Sequence, residues 1–217
     1  MRLQAVIRRE EERDYRQVEE IIRKAFYNVY VPGCMEHYLA HVMRKHPDFI
    51  PELDLVIELN GQVIGSIMYT RAWLTDDEGT RKEVLTFGPV AIVPEYQRMG
   101  YGKELIEYSL KKSEELGYDT VVIFGNPGNY VGCGFRSCRR YHICLENGSF
   151  PAAMLVRELK PGALDGRRWR YRESPVMQIN EKEAERFEAG FEYMEKKYQP
   201  SQEEFYILSQ SFIGQKE

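Results

Sequence analysis

The segment from Gly88 to Lys103 constrains the fold of this chain more than any other part of the sequence. It begins with an apolar run typical of a strand and continues into a glycine-rich turn, QRMGYGK, which leads at once into apolar residues at helical spacing. A strand that enters a helix through such a turn exposes the unbonded amides of the first helical turn and the positive end of the helix dipole. The segment therefore predicts an α/β fold with an anion site suited to a pyrophosphate.

The residues around this segment predict alternating strands and helices. The predicted order is a strand at 5–9, a helix from Asp14, a shorter helix ending near His46-Pro47, strands at 53–59, 63–73 and 83–93, a helix from Gly102 to Gly117, a strand at 120–125, a short helix, and closing strands at 135–145 and 153–159. Asn60-Gly61 is typical of a two-residue hairpin turn. Gly88-Pro89 predicts a bulge or a splayed edge, because proline cannot donate to a sheet ladder.

The chain of 217 residues fits one globular domain, residues 1–160, followed by a C-terminal helical extension, residues 161–217, packed on the core. In the extension, apolar spacing predicts a helix at 181–197. Ser201 and Glu204 predict a capping box that opens a last helix. The arginine run from Arg167 to Arg172 is interpreted as a solvated loop, since charge runs usually face water.

Composition narrows the classes of function. A net charge of -4 argues against sequence-independent nucleic-acid binding. No apolar run approaches the roughly 18 residues of a membrane span, and charged residues fill the N-terminus where a signal peptide would be apolar, so a cytoplasmic protein is expected. The 4 cysteines include no CxxC pair and are expected to be reduced thiols. His37 and His41 have a spacing that can bind metal, but no acidic partner accompanies them in a motif, so no metal is expected.

Other glycine-rich nucleotide motifs do not fit the turn. The Walker pattern is absent because Gly100 and Gly102 lie too close together and Glu104 follows Lys103. The dinucleotide pattern GxGxxG fails because leucine and isoleucine occupy the region of its third glycine. Nucleoside triphosphates and NAD are therefore not the expected ligands.

Two motifs carry a resemblance to a known family. The run from Val93 to Gly102, VPEYQRMGYG, resembles the (Q/R)xxGx(G/A) signature of the Gcn5-related N-acetyltransferases, the GNAT family. The run from Tyr130 to Phe135, YVGCGF, resembles their second signature, and one helix and one buried strand separate the two, as in that family. The resemblance covers about residues 6–159. The runs PAAML and GNP are similar to a bacterial YhbS-like branch.

The resemblance implies a mixed, mostly antiparallel sheet that is splayed at its fourth strand and flanked by helices. It implies acetyl-CoA as donor substrate, with pantetheine pairing with the main chain in the splay. The cofactor-binding residues implied are Ala91, Ile92 and Val93 for pantetheine, Gln97, Arg98, Met99, Gly100, Tyr101, Gly102 and Lys103 for the pyrophosphate, and Asn126 for the pantetheine arm. Asn129 and Gly132-Cys133 depart from the branch pattern and leave the acceptor undefined.

The resemblance also implies a catalytic role for Tyr130 as the acid that protonates the departing thiolate. An oxyanion donor is expected from the amide of Ala91 or Ile92. The sequence does not identify a general base, for which Glu83, Glu58 and His142 are candidates by type only. Cys133 is interpreted as a packing residue and not as a nucleophile.

The expected function is transfer of an acetyl group from acetyl-CoA to a primary amine of a small molecule, peptide or protein, by direct attack in a ternary complex. The alternative is a non-catalytic module that binds acetyl-CoA as a sensor or scaffold. No nucleic-acid or membrane partner is expected, and a homodimer remains open. The sequence leaves the acceptor, the acyl-chain range and the oligomeric state undetermined.

Overall fold

The computed structural model of the protein describes residues 4–214, and nine strands in that range form one sheet. The strands are β1 Val6–Arg9, β2 Leu55–Leu59, β3 Gln62–Asp76, β4 Arg81–Ile92, β5 Thr120–Phe124, β6 Arg136–Ser137, β7 Ile143–Cys144, β8 Met154–Glu158 and β9 Trp169–Arg172. The α-helices are α1 Tyr15–Phe26, α2 Glu36–Met43, α3 Tyr101–Glu115, α4 Pro127–Tyr130, α5 Glu181–Glu188 and α6 Pro200–Ser209. None of these helices combines the length and the apolar character needed to cross a membrane.

The sheet is mixed and mostly antiparallel. Its main path runs β1-β2-β3-β4-β5-β8-β6, and β9 pairs with both β3 and β7. Two pairs are parallel, β4 with β5 and β7 with β9, and the other pairs are antiparallel. This topology, with helices on the faces, confirms the predicted fold class.

Each face of the sheet is covered by its own helices. On one face, α3 places Leu105 and Ile106 against a core that includes Tyr69, Leu85 and Phe135. On the opposite face, α1 and α2 pack against β2, β3 and β4 through a second cluster. Burial of these apolar side chains is the main favourable term in folding.

The two turn predictions are confirmed. Asn60 and Gly61 both have positive φ, 50° and 78°, which is the geometry of a two-residue hairpin turn between β2 and β3. At Gly88-Pro89 the register of β4 against β3 shifts, because Phe87 pairs with Tyr69 while Val90 pairs with Ile67. One residue of β3 thus lies opposite two residues of β4, which is a β-bulge.

The prediction of one closing strand at 135–145 is wrong. The chain forms β6 for two residues, turns through a 3-10 helix at Cys138–Tyr141, and resumes as β7 for two residues. The Ser137 side chain starts this turn by accepting a hydrogen bond from the Arg139 amide, and His142 ends it with a φ of 55°. The second closing strand is confirmed as β8.

Three predictions for the extension are corrected. The run from Arg167 to Arg172 is not a loop throughout, because Trp169–Arg172 forms β9 with Trp169 and Tyr171 buried between outward arginines. The helix predicted at 181–197 ends at Glu188, two residues before Gly190. The capping box is absent, because α6 begins at Pro200 and Ser201 lies inside its first turn.

The segment between α5 and α6 does not continue as helix because polar groups near the end of α1 hold it in an open conformation. The Arg23 guanidinium donates to the Glu188 carboxylate and to the Glu192 carbonyl. Asn28 is the centre of this contact, since its side chain accepts from the Gly33 and Lys197 amides and donates to the Glu195 carbonyl. Asn28 is only 6% exposed and has a φ of 62°.

We expect Asn28→Ala to lower the free energy of unfolding by about 3 kcal/mol, because buried hydrogen bonds are lost and alanine is strained at positive φ. Asn28→Gly loses the same bonds without that strain, so its loss should be about 1 kcal/mol smaller. Urea denaturation measures both values. An Asn28→Ala protein as stable as the wild type would contradict this account of how the extension is held.

Candidate functional site

The central feature of the site is a splay between β4 and β5. These parallel strands pair only at Leu85 with Val121, although β4 continues to Ile92 and β5 to Phe124. Beyond that pair the β5-facing edge of β4 has no strand partner, and the space above Gly88 is also open, since an added Cβ there would meet no atom within 4 Å. The predicted splay at the fourth strand is therefore present, and its apex lies at Thr86, the first residue of β4 after the last pair.

The glycine-rich turn lies at the open end of the splay, between β4 and α3. Arg98 and Gly100 have positive φ, 59° and 89°, and Gly100 is the N-cap of α3. Within residues 4–214, the main-chain amides of Arg98, Met99, Gly100, Gly102 and Lys103 have no hydrogen-bond acceptor. Because these unpaired amides lie at the positive end of the α3 dipole, the turn has the geometry of a nest that can bind an anion.

Other predicted cofactor-binding residues hold this turn in place. The Gln97 side chain donates to the Ile92 carbonyl at 2.9 Å and ties the turn back to β4. The Val93 amide donates to the Ile64 carbonyl, so it is already used inside the protein. Ala91 and Tyr101 are each only 3% exposed. Ligand contacts from Ala91 and Ile92 would therefore come from the main chain.

Tyr130, in α4, lies beside the apex of the splay. Its ring centroid is 5.8 Å from that of Phe87 and 6.0 Å from that of Phe135. Gly125 makes room for it, since an added Cβ there would come within 2.4 Å of the Tyr130 ring. Burial raises the pKa of the Tyr130 hydroxyl well above its ordinary value, and nearby Tyr30 adds to the shift. The hydroxyl is therefore protonated at neutral pH and can act as a proton donor.

Asn126 and Cys133 have local structural roles. The Asn126 side chain accepts the Gly128 amide at 2.9 Å and caps α4. Cys133 is 8% exposed, and burial raises the pKa of its thiol. A thiol held in its neutral form is a poor nucleophile, which agrees with the interpretation of Cys133 as a packing residue.

Within residues 4–214, none of the three base candidates makes a hydrogen bond or an ion pair that directs it at the splay. Glu83 pairs with Arg71 at 3.2 Å, Glu58 pairs with Arg8 at 2.6 Å, and His142 is an exposed residue of the turn before β7. His37 and His41 face different carboxylates, those of Glu188 and Glu19. Among residues 4–214 no cluster of three or more histidine, cysteine, aspartate or glutamate side chains could hold a metal ion.

The sequence analysis did not identify a polar group on the other side of the apex. Thr86 pairs with Thr70 across β3 and β4, and the hydroxyl of Tyr171, on β9, lies beside Thr86. The Tyr171 ring centroid is 5.9 Å from that of Phe124, at the end of β5. Tyr171 belongs to the arginine run. The alternation of aromatic and charged residues there is typical of a strand and could have predicted β9.

A profile of the Acetyltransferase (GNAT) family matches residues 15–135, more than half of the chain. The chain belongs to the GNAT family. This match spans the splayed strands, the nest and the Tyr130 segment, so the predicted family is confirmed.

Two bacterial proteins are similar to the chain in sequence. It is 33% identical over 89 residues to the uncharacterised N-acetyltransferase YjhQ of Escherichia coli K12, a match that covers 41% of this chain and 48% of that protein. It therefore spans about half the length of YjhQ. It is 26% identical over 150 residues to the uncharacterised N-acetyltransferase YhbS of the same strain, covering 69% of this chain and 84% of YhbS.

Solved structures of GNAT proteins have the same fold. The crystal structure of Escherichia coli YhbS in complex with CoA aligns with a TM-score of 0.70 at 24% identity, covering 82% of this chain and 93% of that one. A GNAT acetyltransferase from Brucella melitensis in complex with acetyl-CoA aligns with a TM-score of 0.64 at 21% identity, covering 82% and 100%. At these identities the alignments establish the fold.

Proposed function

We propose that the protein transfers an acetyl group from acetyl-CoA to a primary amine by direct attack within a ternary complex. The observation that carries this proposal is the nest formed by the unpaired amides of Arg98, Met99, Gly100, Gly102 and Lys103. It opens beside a splayed pair of strands with a protonated tyrosine at the apex. Membership of the GNAT family and relatives solved with CoA or acetyl-CoA support it. The acceptor amine belongs to a small molecule, a peptide or a protein.

The donor would lie along β4 in this proposal. The pyrophosphate binds the nest, with the positive side chains of Arg98 and Lys103 nearby. From there the pantetheine arm runs back along the unpaired edge of β4, past Val93, Ile92 and Ala91. Asn126 flanks the arm on the β5 side. A pantetheine amide that pairs with an open strand edge replaces the hydrogen bonds that β5 would otherwise make there. This path leads the thioester to the apex of the splay.

The chemistry requires one bond to form and one to break. The neutral amine nitrogen attacks the thioester carbonyl carbon, and a main-chain amide of Ala91 or Ile92 stabilises the oxyanion. The carbon–sulfur bond then breaks, and Tyr130 donates its proton to the departing thiolate. The proton lost by the amine returns to the tyrosinate through solvent.

The catalytic elements are assigned to residues 1–160, and the extension from 161 to 217 contributes to the acceptor side. β9 supports this division of roles, because it joins the sheet through β3 and brings Tyr171 next to Thr86.

An assay of free thiol release from acetyl-CoA over a panel of primary amines tests the proposal. The expected result is amine-dependent release that saturates with acetyl-CoA. Tight acetyl-CoA binding without release for any amine would contradict catalysis and favour the alternative, a sensor or scaffold module.

A further inference from the structure

The polar group at the apex includes buried hydroxyls without partners. Thr70 is fully buried and Tyr171 is 3% exposed, and neither hydroxyl makes a hydrogen bond of ordinary geometry with any residue from 4 to 214. Strand alternation places both on the sheet face opposite to Tyr69 and α3, since Thr70 and Leu74 point to that face and Tyr171 pairs with Leu74 and packs in the same cluster. Because buried polar atoms in folded proteins are almost always hydrogen-bonded, these hydroxyls indicate a bound polar partner at this position.

Glu173 extends this group towards solvent. It follows Tyr171 by two residues on the continuation of β9, so both side chains lie on the same face, and the Glu173 carboxylate is close enough to influence the Tyr171 hydroxyl. Glu173 is half-buried, and burial raises the pKa of its carboxyl. In the described part of the chain it has neither a hydrogen bond nor an ion pair.

Unlike Glu173, three neighbouring carboxylates have ion-pair partners. Asp76 and Asp77 pair with Arg167 and Arg170, and Glu146 pairs with Arg172 at 3.1 Å. These three arginines are therefore engaged elsewhere, and Glu173 is left with a negative charge partly removed from water. Such a charge is costly unless a cation neutralises it.

We infer that the acceptor carries two amino groups or an amine and a second cation, and that Glu173 binds the one that does not react. This inference rests on the proposed function. The reacting amine must lose its proton before it attacks at the apex, so it cannot supply the positive charge that Glu173 lacks during transfer. A second ammonium group can, while Tyr171 and Thr86 accept its remaining hydrogen bonds.

Three four-carbon amines test the inference with the full chain: 1,4-diaminobutane, n-butylamine and 4-aminobutanoate. Thiol release should give a kcat/KM for the diamine at least about 10-fold above that for butylamine, with 4-aminobutanoate the poorest acceptor. Glu173→Gln should reduce the ratio of diamine to butylamine to about 1, mainly by raising KM for the diamine. Glu146→Gln removes an exposed carboxylate beside the same strand and should keep the wild-type ratio.

Calorimetric titration with acetyl-CoA distinguishes a failure of the acceptor inference from a failure of the proposed function. Wild type and Glu173→Gln should bind acetyl-CoA with the same Kd. If acetyl-CoA binds but butylamine is used as well as the diamine, if no amine of the three is used, or if Glu173→Gln keeps the preference, the inference is wrong and the donor site stands. Absence of acetyl-CoA binding by the wild type would overturn the proposed function, and the inference with it.

Discussion

Replacing Tyr130 with phenylalanine should lower kcat for acetyl transfer by about 10²- to 10³-fold and leave the Kd for acetyl-CoA within about twofold of the wild-type value. The substitution removes only the hydroxyl, so the ring contacts with Phe87 and Phe135 persist. Without that proton donor the thiolate must leave unprotonated. Initial rates of thiol release give kcat, and calorimetry gives Kd.

The control for this prediction is Tyr108→Phe, which removes a tyrosine hydroxyl from the exposed side of α3. It should leave both quantities unchanged. Parallel losses of kcat and affinity in Tyr130→Phe would show that the hydroxyl holds the donor in place, and an unchanged kcat would show that the thiolate needs no acid. Either result would refute the role assigned to Tyr130.

Gly102→Asp should raise the Kd for acetyl-CoA at least about 100-fold, because a carboxylate in the first turn of α3 repels the pyrophosphate and competes for the nest amides. The fold has room for the substitution, since an added Cβ would meet only the Ile92 side chain, at 3.6 Å. A negative charge near a helix N-terminus is favourable by about 0.3–1 kcal/mol. Thermal stability should therefore not decrease while binding is lost.

Gly102→Asn is the matched control, since it adds the same number of side-chain heavy atoms without the charge. Its Kd should lie between those of wild type and Gly102→Asp. Calorimetry and thermal unfolding of the three proteins provide the comparison. Equal affinities for the Asp and Asn variants would mean that charge at Gly102 does not matter, and the pyrophosphate would have to bind elsewhere.

The fold could be predicted as far as local patterns determine it. The hairpin at Asn60-Gly61 and the bulge at Gly88-Pro89 follow from backbone preferences of a few residues, and both are found. β9 depends on partners distant in sequence, since it forms by pairing with β3 and β7. The end of α5 likewise depends on Arg23 and Asn28, which hold the chain that follows.

The residues of the site also differ in whether the sequence alone could indicate them. The nest and Tyr130 are carried by contiguous motifs, so residue spacing indicated them. The group formed by Thr86, Tyr171 and Glu173 comes from β4 and the extension, and only the sheet brings it together. The pyrophosphate contacts assigned to Gln97 and the catalytic role of Tyr130 stay predictions, as do the cytoplasmic location and the homodimer.

The central claim is that main-chain amides around Gly100 and Gly102 bind the diphosphate of coenzyme A. Titrating the ¹⁵N-labelled protein with CoA and following its backbone amide resonances by NMR tests this claim directly. The amides of Arg98, Met99, Gly100, Gly102 and Lys103 should show large, saturable shifts with CoA and none with pantetheine, which lacks the diphosphate. Saturable binding of CoA that leaves these five resonances in place, or no binding, would contradict the claim.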